Sequence, residues 1–202
     1  MPCRAYTNCD EVEFVVNGST VAKATVSGSL AIAPEDLTYE PGTLVVRGYI
    51  RGQLMAEHQQ VTAGGPARLA VAADRTTFAA SGQDVALLRV AVTDAKGNLV
   101  PDANHNISVE AVGQGRIVGV HNADPSTDNY SARSSSRAFN GFLGVYVVAS
   151  GGPGHIIFTA TADGLEQATI KLEVSDQEPR HQVHTAADEA ASPLFGLHVH
   201  YG

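Results

Sequence analysis

Ala5-Tyr6-Thr7-Asn8-Cys9-Asp10-Glu11-Val12-Glu13-Phe14-Val15-Val16-Asn17-Gly18 is the stretch that decides the fold. Val12, Phe14 and Val16 alternate with Glu11, Glu13 and Val15, the period-2 pattern of a half-buried strand. Asn17-Gly18 supplies two residues that tolerate positive φ, as a two-residue hairpin turn requires. A second strand is expected over Thr20 to Val26. The hairpin opens close to the N-terminus, with little chain ahead of it. It therefore reads as the middle of a β-domain that has lost earlier strands, and the chain as a fragment of something longer.

Outward from this hairpin, nearly every segment reads as strand and turn. Leu30 to Ala33 and Thr43 to Ile50 are strands, separated by the Pro41-Gly42 turn. Arg51-Gly52 turns into Gln53 to Thr62, and Gly64-Gly65-Pro66 breaks the pattern as a boundary or hinge. A second cycle follows. Val85 to Thr93 places Leu88, Val90 and Val92 on one face and Leu87, Arg89 and Ala91 on the other. Further strands are expected over Ile107 to Val112, Arg116 to His121, Phe139 to Ala149, His155 to Thr161 and Glu166 to Val174. Asn122 to Ser136 reads as a long polar loop. Strands at this spacing indicate an all-β fold: two tandem Ig-like β-sandwiches with an irregular C-terminal tail. The expected domains are 1–65, an N-terminally incomplete sandwich; 66–175, a second sandwich; and 176–202, the tail. Thr185 to Ala191 suits two helical turns, too short to stand alone.

Composition narrows the function classes. The 202 residues are 44% apolar, enough for a buried core, and the net charge is −8. Nucleic acid calls for a basic face, so it is disfavoured, as is an anionic membrane surface. No run of about 18 apolar residues is present to span a bilayer, and no apolar signal-peptide core is visible. Cys3 and Cys9 lie roughly 20 Å apart if the segment is extended. A disulfide needs Cα atoms within about 7 Å, so two free thiols are expected.

Several segments together resemble a known family. They are Tyr6 to Phe14 with Asn17-Gly18, Tyr39 to Leu44, Thr62 to Leu69, Ala72 to Arg75, Val92 to Ala103, and Arg137 to Gly141. In this order they resemble the C-terminal β-sandwich and bacterial Ig-like region of glycoside hydrolase family 2 proteins of the β-galactosidase type. The resemblance covers residues 5 to 174. It implies a parent that hydrolyses a β-glycoside with retention, using two carboxylates about 5 Å apart. In that family these carboxylates sit on an upstream (β/α)8 barrel, a fold of about 250 residues. This all-β chain has no positions that correspond to them, so no catalytic residue is assigned and the chain alone is read as leaning away from catalysis. The implied role is a non-catalytic accessory region that supports domain packing or substrate access. The implied partners are other domains or subunits of a glycoside hydrolase, a carbohydrate, or a second copy of the chain. No cofactor is implied. The compartment is left open, with a bacterial secreted or periplasmic parent in keeping with the resemblance.

Candidate sites are few. Tyr130 in the long loop is the expected ring for stacking a sugar, with Asp128 and Arg133 beside it. The same loop holds Asn122, Asp124, Asp128 and Asn129, oxygen donors for Ca²⁺ in one reading and a solvated acidic loop in the other, which is favoured. His198 and His200 fall on one face of a strand and suit Zn²⁺ or Cu²⁺, with His181 and His184 nearby; the alternative is a polar tail with incidental histidines. Glu11 with Glu13, and Asp74 with Asp84, are carboxylate pairs that read as exposed charged faces rather than acid–base machinery. The orientation of Tyr146, between Val145 and Val147, is left open. Two other functions stay in view: a free-standing carbohydrate-binding or adhesion module, and a small β-galactosidase in its own right.

Overall fold

The computed structural model describes residues 3–33, 38–126, 134–176 and 198–201; for Ile32 and for 198–201 it describes the backbone alone. Among these residues there are sixteen strands and no helix. The strands up to Thr62 are β1 (Cys3–Tyr6), β2 (Glu11–Val16), β3 (Ser19–Thr25), β4 (Leu30–Ile32), β5 (Thr43–Ile50) and β6 (Gln53–Val61). Then come β7 (Arg68–Ala73), β8 (Thr77–Ala79), β9 (Val85–Thr93), β10 (Asn106–Gly113) and β11 (Gly115–His121). The last are β12 (Ser135–Arg137), β13 (Phe142–Ala149), β14 (Gly154–Thr161), β15 (Ala168–Ser175) and β16 (His198–Tyr201). Contacts divide the chain into two compact units, residues 1–62 with 182–202, and residues 63–181.

The first unit has a four-stranded sheet, β3-β2-β5-β6, and a three-stranded sheet, β16-β1-β4. The Asn17-Gly18 hairpin forms as expected, with φ of 48° and 84° at the two turn residues. The Asn17 side chain then ties this turn to the next strand. Its Oδ1 accepts the Thr43 N–H at 2.8 Å, and its Nδ2 donates to the Pro41 carbonyl at 3.2 Å. A strand does precede the hairpin. β1 is the central strand of its sheet, flanked antiparallel by β4 and by β16, with Cys3 opposite Tyr201 and Tyr6 opposite His198. Its Cys3 and Ala5 are fully buried against Val12, Phe14, Ala31 and Val46. Both cysteines are free and buried, and burial pushes the Cys3 thiol up.

The second unit stacks β11-β13-β9-β7 against β12-β10-β14-β15-β8. Leu88, Val90 and Val92 of β9 and Leu143, Val145 and Val147 of β13 point inward and are fully buried. They meet Ile107, Ile156, Phe158 and Leu172 from the facing sheet in one continuous core. Each such side chain contributes about 1.5–3 kcal/mol on burial. The strands pair antiparallel apart from β8 and β15, which run parallel, and an isolated parallel bridge joins Arg68 of β7 to Glu166. The chain passes from one sheet to the other at Gly113-Gln114-Gly115. Gly113 has φ +113°, and a Cβ there would lie 2.2 Å from the His155 carbonyl oxygen, so no side chain fits. The polar segment from Asn122 is shorter than its composition suggests, because Ser135–Arg137 pairs with β10. The helical reading of 185–191 lies outside the described residues.

Candidate functional site

The outer face of the β11-β13-β9-β7 sheet carries an open depression of about 430 Å³. Strand register explains it. Gly144 of β13 lies between His121 of β11 and Arg89 of β9 in one cross-strand row. In the next row Tyr146 lies between Gly119 and Leu87. Because alternate residues of a strand share a face, Phe142, Gly144 and Tyr146 line one side of β13 while Leu143, Val145 and Val147 fill the core. The missing side chain at Gly144 makes the floor. Phe142 and Tyr146 rise at either end of it, and Arg89 and His121 at either side. Tyr146 is 42% exposed.

The polar rim is held in place. The Arg89 guanidinium lies over the Phe142 ring, 5.9 Å from its centroid, a cation–π arrangement. Arg89 has no ion-pair partner among the described residues. The His121 Nδ1 accepts the Ala123 N–H at 2.9 Å, so the neutral ring carries its proton on Nε2. Asn122 is buried, its Nδ2 donating to the Arg137 carbonyl at 3.0 Å and its Oδ1 accepting the Asp124 N–H at 3.1 Å.

Several acidic groups elsewhere serve the architecture. Glu13, on the outer face of the first unit's four-stranded sheet, is buried rather than exposed like Glu11. Tyr49 Oη donates to its Oε2 at 2.9 Å and Thr20 Oγ1 to its Oε1 at 3.0 Å. Lys23 and Arg47 flank it at 3.6 and 3.8 Å, and Arg47 pairs with Glu57 at 2.8 Å. Lys23, Glu13, Arg47 and Glu57 thus alternate in sign along one row across the sheet. The Tyr49 hydroxyl, then Thr20, holds the Glu13 carboxyl below its ordinary value, and the carboxylate in turn raises Tyr49. Asp74 and Asp84 share Arg75 between them, at 3.5 and 3.0 Å, and accept the Leu87 and Ala79 N–H groups.

Asp94 organises the start of the second unit. Its Oδ2 accepts the Gly64 N–H and the Asn98 Nδ2 group, both at 2.9 Å. Its Oδ1 accepts the Lys96 and Asn98 N–H groups at 2.8 and 2.9 Å. These donors, Gly64 first, hold the carboxyl far below the usual range. The motif read as a hairpin loop at Asp94-Ala95-Lys96-Gly97-Asn98 therefore also anchors the backbone of the glycine-rich segment at Gly64.

Tyr130, Asp128 and Arg133, the expected carbohydrate contacts, lie outside the described residues, as do His181 and His184. The backbone of His198 and His200 lies on β16, opposite Tyr6 and Arg4; their side chains are outside the described set. Asp124, from the oxygen-rich loop, accepts both the N–H and the Oγ–H of Ser126, at 2.9 and 2.7 Å, which lowers its carboxyl. Among the described residues no group of three or more His, Cys, Asp or Glu side chains could hold a metal ion. The depression at Gly144 was not singled out from sequence. The signal for it is the alternation of Leu143, Val145 and Val147 with Phe142, Gly144 and Tyr146.

Comparison with known proteins covers most of the chain. The family model of glycoside hydrolase family 2 C-terminal domain 5 matches residues 69–171. A second model, described as a domain of unknown function, matches residues 1–56. β-Galactosidase BoGH2A of Bacteroides ovatus is 36% identical over 172 residues, covering 85% of this chain and 20% of its own length. A β-galactosidase of Rhizobium radiobacter is 30% identical over 125 residues, covering 62% of this chain and 80% of its own length. Among solved structures, the crystal structure of a β-glycosidase from Bacteroides vulgatus superposes with a TM-score of 0.81 at 26% identity, over 86% of this chain and 22% of that one. The chain thus spans about a fifth of the length of the Bacteroides relatives.

Proposed function

This chain belongs to the C-terminal region of glycoside hydrolase family 2, and from that premise we propose that it is a non-catalytic accessory region of a β-galactosidase-like enzyme, supporting domain packing or substrate access. One observation carries the reading: the match takes in 85% of this chain but only 20% of the Bacteroides ovatus β-galactosidase. The rest of such an enzyme, with room for a barrel of about 250 residues, lies in what is not matched. The acidic side chains of the two units support the same reading. Glu13, Asp74, Asp84 and Asp94 each accept hydrogen bonds that fix strands or turns. A glycosidase of either stereochemistry needs two carboxyl groups facing one another across a cleft. The partners proposed are the other domains of the parent hydrolase.

The Rhizobium relative, 80% of which the chain covers, is the observation on the side of a small β-galactosidase in its own right. Hydrolysis of nitrophenyl β-galactoside by the purified chain separates the two. The accessory reading expects no release of nitrophenol above the buffer rate. Turnover that disappears on substitution of a single Asp or Glu would replace it with the enzymatic one.

A further inference from the structure

We propose that the depression over Gly144 is a glycan subsite that seats one pyranose ring against Tyr146 and holds its polar rim with Arg89. The choice of a sugar rests on the accessory reading above; the placement rests on geometry. Neighbouring strands lie about 4.8 Å apart, so the backbones of His121 and Arg89 stand roughly 10 Å apart across Gly144. Phe142 and Tyr146 are four residues apart on one strand, roughly 13 Å. This frames a slot one residue wide and one side chain deep. Its volume, about 430 Å³, falls in the range of about 300–1,000 Å³ usual for small-molecule sites.

The lining chemistry selects the ligand class. A pyranose presents apolar C–H faces and a polar rim, and the exposed Tyr146 ring offers a π face to the first. Tyr146 also sits beside Gly119, where a Cβ would come within 3.4 Å of the ring, so the neighbouring strand offers no side chain to cover it. Arg89 offers a planar fork of donors, held over Phe142 before any ligand arrives. Its charge has no carboxylate partner among the described residues, and no Asp or Glu lines the depression. In a chain with 21 acidic and 13 basic residues, that composition favours a sugar carrying a carboxylate over a neutral one. The depression is open to solvent, which suits a ring within a longer chain.

The test is titration of the 15N-labelled chain with methyl β-glucuronide and methyl β-galactoside. Saturable shifts are expected at the amides of Gly119, Gly144 and Tyr146, with the glucuronide tighter at low salt. Tyr146→Ala and Arg89→Ala each remove an exposed side chain. Each is expected to weaken binding at least about fivefold, in keeping with one stacked ring or one charge-assisted contact. Folding of both variants is read from their amide spectra. The absence of saturable shifts with both sugars in the folded wild-type chain overturns the proposal. So does binding that neither substitution alters. Loss of this site leaves the accessory reading intact, whereas nitrophenol release by the chain alone ends that reading without touching the site.

Discussion

Adding one methyl group at Gly48 tests how the first unit is packed. Gly48 is buried in the middle of β5, opposite Val12 on β2 and Ala56 on β6. A Cβ there would lie 2.6 Å from the Cys9 Sγ and 3.3 Å from the Cys9 Cβ. Comfortable contact between such atoms is about 3.5–4.0 Å, so the sulfur must retreat by about 1 Å. Cys9 is only 5% exposed and has little room to do so. Over-packing of this kind costs about 1–3 kcal/mol. For a unit of this size each 1 kcal/mol lowers Tm by roughly 4–8 °C. Cys9→Ala alone leaves a small void and costs about 1 kcal/mol. In the double variant the methyl takes the space the sulfur has left, with only the 3.3 Å contact to relieve. The double variant is therefore expected to be more stable than the sum of the two single changes, with a coupling of about 1–2 kcal/mol. Urea unfolding of the four proteins measures it. Strict additivity, or a neutral Gly48→Ala, would refute the packing argument.

Two further outcomes follow from the second unit. Asp94→Ala removes the acceptor of four hydrogen bonds, including that of Gly64, and should lower the unit's melting temperature at neutral pH. The folded carboxyl titrates below its ordinary value of 3.8, so its contribution is full above that pH and is lost as the pH falls below it. The gap between wild type and variant should narrow in acid thermal melts; a gap that widens there would contradict the assignment. Gly113→Ala should destabilise the unit by at least about 2 kcal/mol, through the positive φ and the backbone clash with His155. Wild-type stability in chemical denaturation would show that the sheet crossing tolerates a side chain after all.

What the sequence makes legible is local. The Asn17-Gly18 turn and the inward set Leu88, Val90 and Val92 are both present as their spacing predicts. Period-2 alternation says which face a residue takes, and turn chemistry says where a strand ends. Neither says which strands become neighbours. Glu13 looked exposed because its partners Tyr49, Thr20, Lys23 and Arg47 arrive from two other strands. The floor at Gly144 exists only because β11 and β9 bring His121 and Arg89 alongside it. The orientation of Tyr146 stays open while only its flanking valines are considered; with Gly144 and Phe142 on its own side of the strand and Val145 and Val147 in the core, it faces outward. The pairing of β1 with β16 joins segments nearly a chain length apart, beyond the reach of any window-based reading.

That last pairing has a consequence for biosynthesis. Cys3–Tyr6 leaves the ribosome well before one of its two partner strands, His198–Tyr201, which is translated after the whole of the second unit. The second unit is a contiguous segment and can fold as it emerges. The first keeps one side of a buried strand unpaired throughout that interval, an open edge of the kind that recruits foreign strands. A nascent chain stalled before residue 198 should therefore lean on chaperones for the segment around Cys3–Tyr6 rather than for the second unit.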